Sequence, residues 1–165
     1  MLAAVQIACL IACALLLLAA AWQDLRTLRI ADGLSIGIAA SFAVWAVAGF
    51  AAGTYTLVSL GLAVTCAAGM FLLGALAFAV GGIGGGDVKL AAVTTLFAGP
   101  GLLLDFVLIV ALAGGLLGVA ILAGAPIGPV TGGGQTVRAR LGHNLPYGPA
   151  IALGGLWVAF SLASI

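Results

Sequence analysis

The stretch GGIGGGDVKL, at residues 81–90, places an aspartate directly after a run of glycines, in a gap between two apolar segments. The composition around it sets the class of protein. Of the 165 residues, 65% are hydrophobic and 5% are charged, and the mean hydropathy is +1.39. Soluble domains carry roughly a quarter charged residues, so most of this chain's surface must face lipid. The net charge of +1 is too small to indicate a nucleic-acid partner.

The number of membrane crossings depends on the short apolar stretch that follows those glycines. A spanning helix needs about 20 apolar residues, and five segments are long enough, near residues 2–22, 33–52, 56–81, 101–124 and 146–164. A sixth stretch, at about 88–99, is shorter. It either crosses with help from the preceding glycines or is re-entrant.

The distribution of basic residues favours six crossings. If every segment crosses, all five basic residues fall on one side of the membrane, which the positive-inside rule assigns to the cytoplasm. They are Arg26, Arg29, Lys89, Arg138 and Arg140. The sequence therefore predicts an all-α polytopic membrane protein with about six transmembrane helices and both termini on the outer side. We expect residues 1–165 to form a single membrane domain, without a soluble or zinc-binding domain.

Two aspartates are predicted to meet at the cytoplasmic side. Asp24 follows the first apolar segment and Asp87 lies at the same depth between the third and fourth. Two carboxylates about 3 Å apart cannot both ionise, so they share a proton. Such a pair can activate a water molecule and protonate the products of peptide hydrolysis. Asp32 is interpreted as the N-cap of the second helix, and Asp105 as a structural or interfacial residue on the outer side.

Few other residues could carry chemistry. The chain has one His, no Glu, and three Cys without C-x-x-C spacing, so we expect no metal and no cofactor. Gly84, Gly85 and Gly86 would let a substrate backbone approach Asp87 and would permit backbone angles that other residues resist. Lys89 could tune the aspartate pair, bind substrate, or anchor the helix at the interface.

The pattern leaves two other classes of function open. In a small transporter or channel, Asp24 and Asp87 would bind protons or cations along a pathway. In a non-catalytic assembly subunit, the glycine-rich stretch would only connect or pack helices. A transporter would distribute its acidic groups across the membrane, whereas most of them here are predicted at one face.

Three ordered stretches resemble a known family. GGGD at residues 84–87 fits the Gly-x-Gly-Asp signature of membrane aspartyl proteases, and the surrounding stretch is similar to that of bacterial type IV prepilin peptidases. DLRTLRIADGLS, from Asp24, looks like the segment of the family's first catalytic aspartate. LPYGPAIALGG, at 145–155, resembles the segment that opens the family's last helix. Where this chain has Ile30, Ala31 and Asp32, members often read Ile-Pro-Asn.

The resemblance implies an activity and a place in the cell. Asp24 and Asp87 would be the catalytic pair of an endopeptidase in the bacterial inner membrane, with its active site facing the cytoplasm. It would remove the short basic leader from type IV prepilin or pseudopilin precursors, cutting after a glycine. The compact chain looks like the peptidases of tight-adherence (Flp-type) pilus systems. It has no insert with paired C-x-x-C motifs, so no N-methyltransferase activity is expected.

Overall fold

The computed structural model describes residues 1–123 and 146–164, and this part of the chain is built from α-helices. They are α1 (Leu2–Thr27), α2 (Asp32–Ala52), α3 (Leu57–Ala79), α4 (Gly85–Leu122) and α5 (Gly148–Ala163). The predicted all-α class is confirmed. The long Gly- and Pro-rich connection at 124–144, with Arg138, Arg140 and His143, lies outside the described residues.

The helices have the length and composition of a membrane protein. Helices α1 to α4 are each long and apolar enough to cross a bilayer, while α5, with 16 residues, is shorter but equally apolar. Large apolar side chains are exposed along them, for example Leu72 and Leu112. Such a surface is stable in lipid and not in water.

Helix α4 is not one continuous rod. A straight helix of its 38 residues would be about 57 Å long, against roughly 30 Å of hydrocarbon. Gly99 interrupts it with φ 52° and ψ −165°, directly before Pro100. Asp87 and Gly118 line one cavity of about 480 Å³, although a straight helix would place them about 46 Å apart. The chain therefore turns back at Gly99, and residues 85–98 (α4a) lie beside residues 100–122 (α4b).

Four helices enclose the core. Helix α1 packs on α2 and α5, and α4 packs on α2 and α5 from the other side. Small residues bring these helices close together: a Cβ at Gly155 of α5 would lie 2.6 Å from Leu17 Cδ1 of α1 and 2.8 Å from Thr94 Cγ2 of α4a. Helix α3 packs on α4, and the structure gives it no other extensive helix contact in the described part of the chain.

Contacts between these helices identify two ends of the bundle. At one end, Asp32 of α2 forms an ion pair with Lys89 of α4a. Nearer the other end, Phe42 of α2 packs edge-on against Phe97 of α4a, with 5.3 Å between the ring centres. Helices α2 and α4a therefore run parallel. We call the end that holds Asp24, Asp32 and Asp87 the aspartate end.

Candidate active site

Asp24 and Asp87 meet at the aspartate end of the bundle. Asp24 lies in the last turn of α1 and Asp87 in the first turn of α4. The two residues are 3% and 5% exposed, and they are close enough for their charges to interact. Together with Arg29, Ile30 and the glycines at 84–86, they line a cavity of about 320 Å³. The structure thus brings together the two carboxylates that the sequence singled out.

Asp24 is held by the beginning of α5. The backbone N–H of Gly148 donates a hydrogen bond to Asp24 Oδ2 at 2.8 Å. Gly148 is the first residue of α5, where unpaired N–H groups and the helix dipole favour a negative partner. A Cβ at this position would lie only 2.7 Å from Asp24 Cβ and 2.8 Å from Oδ2. The approach of α5 to Asp24 therefore requires glycine.

Asp87 has one oxygen without a partner. Its Oδ1 is buried, and no described residue forms a hydrogen bond to it. Its Oδ2 lies against Gly84, where a Cβ would be 2.8 Å away. Buried polar atoms are nearly always hydrogen-bonded, and the exceptions are often reactive groups. Oδ1 is therefore available to exchange a proton or a hydrogen bond with a bound molecule.

The described residues offer no conventional metal site. Within residues 1–123 and 146–164, no group of three or more His, Cys, Asp or Glu side chains could hold a metal ion. The chemistry available from the described side chains is that of two adjacent carboxyl groups, which suits acid–base catalysis with water as the nucleophile.

Comparison with known proteins identifies the family. The sequence model of the type IV leader peptidase family matches residues 11–119, which include both aspartates. The chain belongs to this family. It is an aspartic membrane protease that cleaves leader peptides from prepilins, and the predicted resemblance to this family is confirmed. No curated protein and no solved structure matches the chain significantly.

In this leader peptidase the glycines before Asp87 have ordinary backbone angles, and at Gly84 and Gly86 a Cβ would meet close neighbours. Gly84 has φ −72° and ψ 145°, and Gly85 and Gly86 are helical. None of them has a positive φ, so the expectation of special angles was wrong. A Cβ at Gly84 would press on Asp87 Oδ2, and one at Gly86 would lie 3.1 Å from Ile30 Cβ and 3.4 Å from its backbone N. Gly85 meets only the Phe78 ring, at 3.6 Å or more.

Asp32 does not cap α2 as the sequence predicted. The N-cap of α2 is Ala31, without a side-chain hydrogen bond, and Asp32 is the first helical residue. Its Oδ1 instead pairs with Lys89 Nζ at 2.7 Å. The ammonium group of the leader peptidase's Lys89 is thus engaged with an exposed carboxylate that does not line the Asp24–Asp87 cavity. An effect of Lys89 on the catalytic pair or on substrate stays a prediction.

The remaining sequence assignments concern surface residues. Asp105 is exposed on α4b, away from the Asp24–Asp87 cavity. The guanidinium of Arg26 lies 4.3 Å from the centre of the Trp22 ring, a cation–π contact near the aspartate end. Both positions fit residues at a membrane interface.

Sequence reasoning missed the role of Gly148. The residue lies within LPYGPAIALGG, the stretch that resembles the segment opening the family's last helix. Its partner, Asp24, is 124 positions away, so no local pattern could reveal the contact. A glycine at a helix start that also carries a proline was the only signal available.

Proposed function

We propose that Asp24 and Asp87 are the catalytic pair of this leader peptidase. The observation that carries the proposal is their position: two buried carboxyl groups from distant parts of the chain line one cavity at the aspartate end. Burying both is costly unless they share a proton or serve a reaction. The other described aspartates, Asp32 and Asp105, are exposed.

The hydrogen bonds of the two carboxyl groups suggest which one acts as the general base and which as the general acid. The Gly148 N–H stabilises the ionised form of Asp24, so Asp24 is suited to take a proton from the attacking water. Asp87, with a free Oδ1, is suited to hold the shared proton and donate it to the carbonyl oxygen. The water oxygen then bonds to the carbonyl carbon. The C–N bond breaks as the leaving amine receives the proton held by Asp24, and a hydroxyl group of the tetrahedral intermediate returns its proton to Asp87.

The substrates follow from the family, and the subtype is our inference. A leader peptidase acts on prepilins, and we propose that this one removes a short basic leader from prepilin or pseudopilin precursors of a tight-adherence (Flp-type) pilus, cutting after a glycine. The absence of paired C-x-x-C motifs from residues 1–165 supports this subtype and a peptidase without methyltransferase activity.

We further propose six crossings of the bacterial inner membrane, with the active site facing the cytoplasm and both termini outside. The reversal of α4 at Gly99 supports two crossings within that helix. Arg26, Arg29 and Lys89 lie at the same end as Asp24 and Asp87, and the positive-inside rule places such an end in the cytoplasm.

Substitution of single aspartates tests the catalytic pair. Asp24→Asn and Asp87→Asn, each co-expressed with a prepilin, should slow leader removal by roughly 10²–10⁴-fold, measured as a shift in gel mobility over time. Asp32→Asn and Asp105→Asn are matched controls that should cleave at nearly the wild-type rate. Thermal unfolding in detergent verifies that each variant is folded. Leader removal at the wild-type rate by folded Asp24→Asn or Asp87→Asn would overturn the proposal.

A further inference from the structure

We propose that the groove between α2 and α4a at the aspartate end binds one phosphatidylethanolamine molecule of the surrounding bilayer. The groove presents one charge of each sign to a headgroup that also carries one of each. We call this space the α2–α4a groove; it has a volume of about 290 Å³. It shares no described lining residue with the Asp24–Asp87 cavity. The inference therefore goes beyond the catalytic function and rests only on the proposed topology, in which the aspartate end lies at a membrane surface.

The groove is formed by one face of each of two parallel helices. Its described lining residues are Asp32, Ser35, Ile36 and Ala39 of α2, with Lys89 and Val93 of α4a. Within each helix they are three or four residues apart, as neighbours on one helical face are. Ala39 comes seven residues after Asp32 and thus lies about 10 Å deeper. The headgroup layer is only about 5–8 Å deep, so the groove extends from that layer into the hydrocarbon.

The ion pair at the mouth of the groove can bind further charged groups. Lys89 Nζ donates a hydrogen bond to Asp32 Oδ1 at 2.7 Å, and both side chains are at least half exposed. An ammonium group has three N–H donors, and a carboxylate has two acceptor oxygens. Among the described residues, Asp32 Oδ2 and the other two N–H groups of Lys89 have no partner. The pair can therefore bind a phosphate through Lys89 and an ammonium group through Asp32 at the same time.

Ser35 adds a buried polar group to the same groove. It is 6% exposed and lines the groove, yet its hydroxyl forms no hydrogen bond with any described residue. Other hydroxyl groups in these helices donate to the carbonyl four residues earlier, as Ser41 does to Gly37 O at 2.9 Å. A buried hydroxyl without a partner is costly. Ser35 therefore indicates a polar ligand and is suited to donate to a phosphate oxygen.

The two charges discriminate between classes of lipid. Phosphatidylglycerol has a phosphate for Lys89 but no ammonium group, so Asp32 would repel it. Phosphatidylcholine has both charges, but its quaternary nitrogen has no N–H to donate. Phosphatidylethanolamine supplies the phosphate and the N–H donors together. Ile36, Ala39 and Val93 lie deeper along the groove, where they can pack against one of its acyl chains.

Titration of delipidated protein with single lipids tests the inference. Native mass spectrometry in detergent should show one phosphatidylethanolamine bound about tenfold more tightly than phosphatidylcholine or phosphatidylglycerol, the effect of one hydrogen bond to a charged group. Asp32→Asn should abolish the preference over phosphatidylglycerol, and Lys89→Gln should weaken the binding of both. Asp105→Asn and Arg26→Gln are matched controls that should bind like wild type, since both residues are exposed and neither lines the groove.

A second series needs no variant and covers the case in which one does not fold. Wild-type protein is titrated with phosphatidylethanolamine carrying one, two or three N-methyl groups, and affinity should be lost when the last N–H is replaced. Equal affinity along this series, tighter binding of phosphatidylglycerol, or a phosphatidylethanolamine preference retained by both groove variants would overturn the inference. None of these measurements involves cleavage, so the catalytic pair stands or falls separately with the Asp24→Asn and Asp87→Asn proteins.

Discussion

Asp24 and Asp87 are positioned by different means, although both depend on glycine. Asp24 receives a backbone hydrogen bond from the start of α5, and Gly148 is needed because a larger residue would collide with the carboxyl group. Asp87 lies against Gly84 of its own helix end, and its Oδ1 has no partner among the described residues. One carboxyl is thus fixed and the other is left free to react.

Gly148→Ala should impair cleavage far more than it affects folding. The added Cβ would lie 2.7 Å from Asp24 Cβ, so the carboxyl must move, and a displacement of about 1 Å at an active site can reduce the rate on the order of 10²-fold. The measurement is kcat for prepilin cleavage together with thermal unfolding in detergent. Gly33→Ala is the control, since a Cβ there meets nothing within 4 Å; similar rates for both variants would contradict the positioning of Asp24 by Gly148.

Part of the site could be predicted from single residues and part could not. In a chain with few ionisable groups, the spacing of Asp24 and Asp87 relative to the apolar segments indicated that they share one face of the membrane. Asp32 was misassigned because its choice of partner depends on Lys89, 57 positions away. A local capping pattern contains no information about a competing charge that only tertiary packing brings near.

Gly99 determines the path of α4. Its φ of 52° and ψ of −165° lie in a region that side chains strongly disfavour, and Pro100 cannot supply a backbone N–H to continue a helix across the break. The sequence located this boundary well, because glycine followed by proline is a strong interruption signal. The distribution of basic residues also favoured a reversal at this boundary, because only separate crossings by residues 88–99 and 101–124 place all five basic residues on one side.

Gly99→Ala should destabilise the protein by about 1–3 kcal/mol. The cause would be backbone strain alone, because a Cβ at Gly99 would meet nothing within 4 Å. Gly101→Ala is a closely matched control: it has equal space and no positive φ, and it should leave the unfolding temperature nearly unchanged. Equal unfolding temperatures for the two variants would mean that α4 does not need the observed turn.

At the scale of the molecule, the helices sort into a four-helix core and a peripheral α3. Hydropathy predicted the apolar segments that form the helices, but it could not predict which helices are neighbours, because α3 is as apolar as the others. What distinguishes α3 is how few of its residues are buried. It packs on α4 at the edge of the bundle, and Met70 and Gly74 of α3 line one cavity together with Val107 and Ala111 of α4b.

The proposed orientation can be measured by labelling single cysteines with a membrane-impermeant maleimide in intact spheroplasts. After Cys9, Cys13 and Cys66 are replaced by alanine, Thr54→Cys and Gly101→Cys should react from outside. Ala31→Cys, at the aspartate end, should react only after the membrane is opened. All three residues are exposed, so a difference reports sidedness. Labelling of position 31 but not 54 in intact spheroplasts would reverse the orientation, and protection of position 101 alone would contradict two crossings by α4.

The hydrogen bond from Gly148 to Asp24 also bears on the timing of biosynthesis. Asp24 is made early, but its backbone donor is translated 124 residues later. A nascent chain still attached to the ribosome therefore has both aspartates before it has the geometry to use them. We therefore expect the proposed catalytic pair to become active only when α5 has been inserted and has docked on α1.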